Sequence, residues 1–505
     1  MKSHRPFLVA TTLFAACASN RDDLAGWTAQ DPAPAVPAGV DDSVETVEGE
    51  AGAGPLPQEI TIAAAVTEAL AHNRAVQQAR LNVAIGIDDT QEARSALIPN
   101  VRALGTYSAV DQPRQILTGG TPITTAPDDV WAFAATLDFP IFAFGRHLNT
   151  WRAAQLAQHG AESTQRAIEA DTAAAVSAAA FDVLETIHAI EAAKSNEEAL
   201  AQQVKDAQAQ LDAGSVTKVA VLEASVEHDA AKRGREKLES LVPIRKMTLN
   251  KLLGRPASGA IEVKDEPDTR APIWQLDPLV EEALDTRPEI RAARLQVASA
   301  ERTLEATVGG ELGEVRGNVV WDTDDNPFRA PSDQLNLLVT FDVPVFTGGA
   351  RMARIRRARH ALESLEIVVR DLEANVRTEV AASYREAVES YRDIAVARSA
   401  VVRQEESVRI QQEKFRNGRA TSREVLDSVA LLRNARFEAI NATYSYSVAL
   451  RELVRARGAD PRLDPFAEVT PREPARAPGA LEGALEEAFR RAAPEAGGAG
   501  GQVPK

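Results

Sequence analysis

The chain has 505 residues, a formal net charge of −16, 5% aromatic residues and one cysteine. That length admits two or more domains. The acidic balance leaves no basic stripe to neutralise phosphates and argues against nucleic acid as a partner, and one thiol excludes both an internal disulfide framework and a cysteine-rich metal site. Beyond the N-terminus no run of about 18 apolar residues occurs, which excludes ordinary spanning helices but leaves open a membrane β-barrel, whose signal is weaker.

Residues 1–16 read as a secretion signal, with Lys2 and Arg5 ahead of a short apolar core. The end of that core, Leu13-Phe14-Ala15-Ala16-Cys17, resembles a bacterial lipobox and departs from it at Phe14. Cys17 is therefore expected to become a lipidated, palmitate-bearing N-terminus. The alternative is an ordinary signal peptide with an incidental cysteine. Residues 17–57 are rich in Pro, Ala, Gly, Asp and Glu without periodicity and read as a disordered tether.

Repeat 1 is expected over 58–254. A helix over 58–98 is marked by Ile62, Val66, Leu70 and Val76, and Pro99 ends it. Residues 101–109 alternate, with Val101, Ala103, Gly105 and Tyr107 on one side. Residues 131–139 alternate too, with Trp131, Phe133, Ala135, Leu137 and Phe139 on one side, and Pro140 is read as the strand's end. A long helical hairpin follows from about 146 to 254, turning near Gly214; Gly160, Gly234 and Pro243 predict irregular helices here. Residues 255–274 are read as a linker.

Repeat 2 is expected over 275–458. Its strands centre on Val315, Val319 and Trp321, then on Leu335, Leu337, Val339 and Phe341. Residues 351–417 hold no glycine or proline, and apolar residues recur there every three or four positions. At about 1.5 Å per residue this rod would run roughly 100 Å, the length of a coiled coil or a helical tube rather than of a globular core. Gly418 turns the chain into a second breaker-free run to Arg457. The tail, 459–505, reads as mostly disordered.

The two copies repeat each other. Asp138-Phe139-Pro140-Ile141-Phe142 recurs as Asp342-Val343-Pro344-Val345-Phe346, and Gly214 and Gly254 recur as Gly418 and Gly458, all 204 residues later. Glu68-Ala69-Leu70 recurs as Glu282-Ala283-Leu284 at 214 residues, so the first copy holds ten extra residues between these markers. The four main strands have about the length that spans a bilayer when tilted. Four strands cannot close a barrel, and an open edge is not tolerated in lipid. Three chains would supply twelve strands and continue below as a shared helical tunnel.

This duplicated order resembles the TolC family of outer-membrane efflux channels, and the lipobox resembles its lipoprotein branch. The resemblance covers about 58–458 and rests on the two Asp-x-Pro-x-Phe elements and the two glycine tips. It implies a mainly α fold with a membrane β-barrel: a homotrimer with a shared 12-stranded barrel in outer-membrane lipid and a periplasmic α-barrel tunnel. The implied partners are a periplasmic adaptor and an inner-membrane transporter, of an efflux or type I secretion system. The implied role is a passive conduit, with no catalysis and no cofactor. The resemblance also implies that the tips, Gly214, Ser215, Val216, Thr217 and Gly418, Arg419, Ala420, Thr421, dock the adaptor. It places an acidic gate at Glu424 and Asp427, whose spacing puts both on one helical face; the first copy has Ala220 and Glu223 there.

Other candidates carry less. The seven histidines show no metal-binding spacing. Ser215-Val216-Thr217-Lys218 spells S-x-x-K but lies at a turn without companion motifs. A soluble periplasmic coiled-coil or adaptor-like protein without a barrel is the alternative. It leaves the apolar face of Trp131, Phe133, Leu137 and Phe139 without other strands to cover it.

Overall fold

The computed structural model describes residues 59–459 except 112–114, 119–120, 125, 265–266 and 327–332, together with Phe466. The signal segment, Cys17, the tether and nearly all of the tail lie outside the described residues. The first copy comprises β1 (Glu59–Ile60), α1 (Ile62–His72), α2 (Arg74–Ser95), β2 (Asn100–Ala109), β3 (Gln115–Thr118), β4 (Thr121–Thr124), β5 (Asp129–Phe142), α3 (Arg146–Asp212) and α4 (Lys218–Leu253). After β6 (Glu262–Val263) come α5 (Leu276–Thr286), α6 (Pro288–Gly310), β7 (Glu314–Asp324), β8 (Asp333–Asp342), α7 (Ala350–Arg416) and α8 (Ser422–Ala456). The copies match in length: α1 and α5 have 11 residues each, α3 and α7 have 67 each, and α4 and α8 have 36 and 35.

Several expectations are corrected. The helix expected over 58–98 is two helices. Asn73 adopts extended backbone, accepts from the Ala75 N–H at 2.8 Å and donates to the Leu252 carbonyl at 2.7 Å. Arg287 breaks the second copy the same way, and Pro288 opens α6. The strand does not stop at Pro140: β5 runs to Phe142, with Pro140 opposite Arg316 beside a bulge, a place where sheets tolerate proline. Gly160, Gly234 and Pro243 do not interrupt α3 or α4. Gly160 is buried against α6, and Pro243 lies on the exposed side of α4, so packing along the hairpin outweighs local propensity.

The linker is a packed segment rather than a spacer. Its β6 pairs in parallel with β1, and Ile261 and Val263 are buried. Trp274 stacks on Phe466 at 4.9 Å, so the tail is in contact with the folded unit at that residue. The α3 helix also contains an 18-residue window apolar enough, by length and composition, to cross a membrane, 44% of it buried. Its apolar content is largely alanine interrupted by single polar residues, which hides it from a search for unbroken runs. Ala173, Val176, Ala180, Phe181 and Leu184 place it in a protein core instead.

That core joins α1, α3, α4 and β6, with Leu249, Leu253 and Val66 almost fully buried. A matching core in the second copy joins α5, α6, α7 and α8 through Leu279, Ile290, Val380 and Leu453. Fully buried alanines, such as Ala180 and Ala283, let the helices approach closely. Ion pairs bind the short helices to the hairpins. Arg255 holds Glu68 through two bonds of 2.5 and 2.6 Å, and Arg287 reaches Glu379 at 2.6 Å and the Ala456 carbonyl at 2.5 Å.

The main sheet runs β2-β5-β7-β8, with every neighbouring pair antiparallel. Strands β2 and β8 are its edges, so within one chain it is open. The β3–β4 hairpin sits in the loop between β2 and β5. It accounts for the ten residues by which the first copy exceeds the second.

Candidate functional site

Each hairpin turns at a glycine that must be left-handed. Gly214 has φ +75° and Gly418 has φ +67°. The Ser215 N–H donates to the Gln210 carbonyl at 2.8 Å and the Gly214 N–H to the Leu211 carbonyl at 2.9 Å. Arg419 and Gly418 repeat this on Lys414 and Phe415 at 2.8 and 3.0 Å. Both are Schellman turns, which satisfy carbonyls a helix end would otherwise leave open.

The next helix then starts at a threonine in each copy, but the copies differ. Thr421 caps α8 with a full capping box: its Oγ1 accepts from the Glu424 N–H at 3.3 Å, and Glu424 Oε2 accepts from the Thr421 N–H at 2.7 Å. Thr217 makes no side-chain cap bond, and Ala220, standing where Glu424 stands in the second copy, has no carboxylate to supply the reciprocal half of the box. The predicted gate residue Glu424 thus also fastens its own helix end. Asp427 lies on the same exposed face, 3.2 Å from Arg423. Sequence reasoning missed Arg423, although its i,i+4 spacing to Asp427 was available. The box was also legible as Thr-x-x-Glu.

Beneath the tips the two hairpins share a small apolar core. Phe415 and Val425 are almost fully buried with Leu200, Ala207 and Ala224. Val216 and Ala420, at matching places in the two tips, are half-buried against it. Gly214, Ser215, Thr217, Gly418, Arg419 and Thr421 are exposed. Polar bonds cross between hairpins: Gln210 Nε2 donates to the Phe415 carbonyl at 2.7 Å, and Arg416 pairs with Asp206 at 3.2 Å.

The other end of the molecule is the open sheet. Its register puts Tyr107, Trp131, Phe133, Trp321, Leu335 and Phe341 on one face, and all are exposed. The Tyr107 and Trp131 rings lie 4.7 Å apart. Alternation puts Arg102, Thr106, Asp138, Asn318, Asn336 and Thr340 on the opposite face, where Asn318 donates to Asp138 at 2.5 Å. An apolar, aromatic-rich face and an opposite face of mixed character, which also carries Leu104, Val320 and Leu338, on strands of 10 to 14 residues match a wall between lipid and a watery lumen. Below it, Glu314 pairs with Arg146 and Arg316, and Glu311 with Arg354. The hydrogen bond from Arg354 holds the Glu311 carboxyl below its ordinary range. Among the described residues no group of three or more His, Cys, Asp or Glu side chains is placed to hold a metal ion.

A sheet of this kind, continued by paired 67-residue helices with turned and capped tips, defines a subunit of a membrane channel with a helical tunnel. The chain belongs to the outer membrane efflux protein family, whose model matches residues 65–255 and 279–459. It is 23% identical over 405 residues to the outer membrane efflux protein BepC of Brucella suis biovar 1, covering 79% of this chain and 85% of BepC. The fold is similar to CusC, described as forming a transmembrane channel, with TM-score 0.71 and 18% identity over 79% of this chain and 92% of CusC. It is also similar to the open state of the MtrE outer membrane channel of Neisseria gonorrhoeae, with TM-score 0.65 and 17% identity over 79% and 89% of the two chains. As a member of its family the chain is an outer-membrane channel protein of a tripartite efflux system, with its tunnel in the periplasm. It works as a homotrimer with a periplasmic adaptor and an inner-membrane transporter.

Proposed function

We propose that the chain forms a passive conduit whose periplasmic entrance is closed by the hairpin tips and opened by the adaptor, and that it performs no catalysis. The observation that carries this reading is the open sheet, apolar on one face, whose two edge strands are exposed at every residue but Gln334 in a single chain. In this reading Glu424 and Asp427, tripled by symmetry, line the constriction and favour cations over anions. The exposed tip residues Ser215, Thr217, Arg419 and Thr421 meet the adaptor, with Gly214 and Gly418 shaping the turns and Val216 and Ala420 anchoring them. Residues 1–16 serve as a lipoprotein signal, Cys17 as the lipid anchor and 17–57 as its tether.

The test is the protein mass of the detergent-solubilised particle, by light scattering corrected for detergent. A particle three chains in mass, extracted only with detergent, is expected. A monomer that stays in solution without detergent would overturn the conduit and favour the coiled-coil alternative.

A further inference from the structure

The head of α7 breaks a local rule. Arg351, Arg354, Arg356, Arg357 and Arg359 fall within its first ten residues, and the first acidic residue of the helix is Glu363. Positive charge is disfavoured there, because the N-terminal end of a helix already carries a partial positive charge. Arg354 is answered by Glu311, and Arg351 lies near the same carboxylate. Arg356, Arg357 and Arg359 are exposed and have no hydrogen-bond or ion-pair partner among the described residues. Arg356 and Arg359 also stand three apart, where like charges on a helix repel. Glu363 lies 3.8 Å from His360. In a chain of net charge −16, three unanswered arginines side by side call for an anion from outside.

Their surroundings indicate which anion. The chain leaves the sheet for α7 through Pro344-Val345-Phe346, and Val345 and Phe346 are 94% and 88% exposed. The residue matching Phe346 in the first copy, Phe142, lies opposite Val315 on the apolar face of the sheet. Its ring meets the Phe144 ring edge-on at 4.7 Å. Phe144 has φ +46°, whereas its counterpart 204 residues later is Gly348 at +60°. A bulky side chain in the left-handed region is strained, and what the first copy obtains from it is a second aromatic ring at the foot of the apolar face. An apolar collar thus closes the lipid face just where α3 and α7 begin. Met352, Arg356 and Arg359, at i, i+4 and i+7, share one side of α7. Arg356 and Arg359 lie about 9 and 14 Å down the helix from Ala350. Helical side chains lean toward the N-terminus, which here is the sheet end, so both guanidiniums lean back toward the collar.

We propose that Arg356 and Arg359, with Arg357 beside them and Phe346 above, form a headgroup site for an anionic phospholipid of the leaflet facing the tunnel. The lipid phosphate accepts from the guanidiniums, whose forked donors suit phosphate oxygens. The acyl chains continue along Phe346 and the apolar sheet face. A lipid without net charge offers the same chains, so the site selects for charge. At the matching places α3 keeps Arg152 but has Thr150, Ala153 and Gln155 for Arg354, Arg357 and Arg359, which assigns the site to the second copy, one per chain.

This inference rests on the outer-membrane reading above. The experiment titrates the full-length trimer in detergent with phosphatidylglycerol or phosphatidylcholine and counts bound lipids by native mass spectrometry. The parent is expected to bind phosphatidylglycerol more tightly. Arg356→Gln with Arg359→Gln should lower that preference roughly thirtyfold, the usual effect of two arginines beside an anionic surface. Arg356→Lys with Arg359→Lys keeps the charge and should keep most of the preference. Arg392→Gln with Arg398→Gln, at exposed places far down the same helix, should keep all of it. Removing positive charge from the positive end of a helix should not lower the melting temperature, so a lost preference is separable from unfolding. An unchanged preference in the Arg356 and Arg359 glutamine pair, or an equal loss in the Arg392 and Arg398 pair, would overturn the site. So would dissociation of the trimer with the preference intact, which would set these arginines against a second copy, or altered ion selectivity in planar bilayers with the preference intact, which would set them in the lumen. A parent that is monomeric and soluble without detergent would overturn the channel reading itself.

Discussion

Glu424 has an observed role in its helix cap and a proposed role at the gate, and a pair of substitutions can separate them. Its carboxylate closes the capping box on Thr421 through a 2.7 Å bond from the Thr421 N–H, and its charge faces the proposed constriction. Glu424→Gln keeps an acceptor of the same reach, and a capping box accepts glutamine. It loses only the favourable interaction of a charge with the helix N-terminus, a few tenths of a kcal/mol at an exposed site. Glu424→Ala loses the bond as well, and Thr421→Ala loses the other half of the box, each about 1 kcal/mol. Since about 1.4 kcal/mol is a factor of ten, the first turn of α8 should open roughly fivefold more often in the alanine variants. Hydrogen exchange of the amides of Ser422–Val425 measures this directly. The first copy supplies the converse, because Ala220→Glu should slow exchange at the start of α4 by building the box that Thr217 lacks. Equal exchange in Glu424→Gln and Glu424→Ala would refute the reasoning.

Three further outcomes follow from the same structure. Glu424→Gln with Asp427→Asn is expected to weaken cation preference or raise single-channel conductance in planar bilayers; unchanged conductance and selectivity would remove these residues from the gate. Gly418→Ala should cost about 1–2 kcal/mol, the price of a left-handed residue, because nothing lies within 4 Å of an added Cβ. Gly254→Ala, at φ +77°, also drives its Cβ into the His72 carbonyl, so its melting temperature should fall well below that of Gly418→Ala, and equal melting would contradict the packing. Burial works against the Glu379 charge, but the Arg287 and Arg455 guanidiniums outweigh it and hold the carboxyl below its ordinary 4.5. Its stabilisation is therefore present above pH 4.5 and lost as pH falls through the lower folded value. Glu379→Gln should melt earlier at neutral pH yet lose less stability on acidification than the parent; parallel pH profiles by circular dichroism would refute this.

What the amino-acid order by itself determined was whatever depends on neighbours a few residues away. The glycine turns at Gly214 and Gly418 follow from the need for positive φ, and the strands from alternation around Trp131 and Leu337. The breaker-free rod over 351–417 and the duplication could likewise be read from spacing alone. What only the tertiary structure decided depends on partners far along the chain. Asn73 divides a helix because its side chain finds the Leu252 carbonyl, 179 residues away. Gly160 and Pro243 leave their helices whole because each helix is held along its length by its packing partners. Ile261 and Val263 turn an apparent linker into part of a core, since a strand is formed only when β1 is beside it. Asp427 has Arg423 as its local partner, but the tip that carries both is held by Gln210 from the other hairpin. A local pattern states what a segment prefers; the choice among preferences is made by contacts whose free energy exists only after distant segments have met.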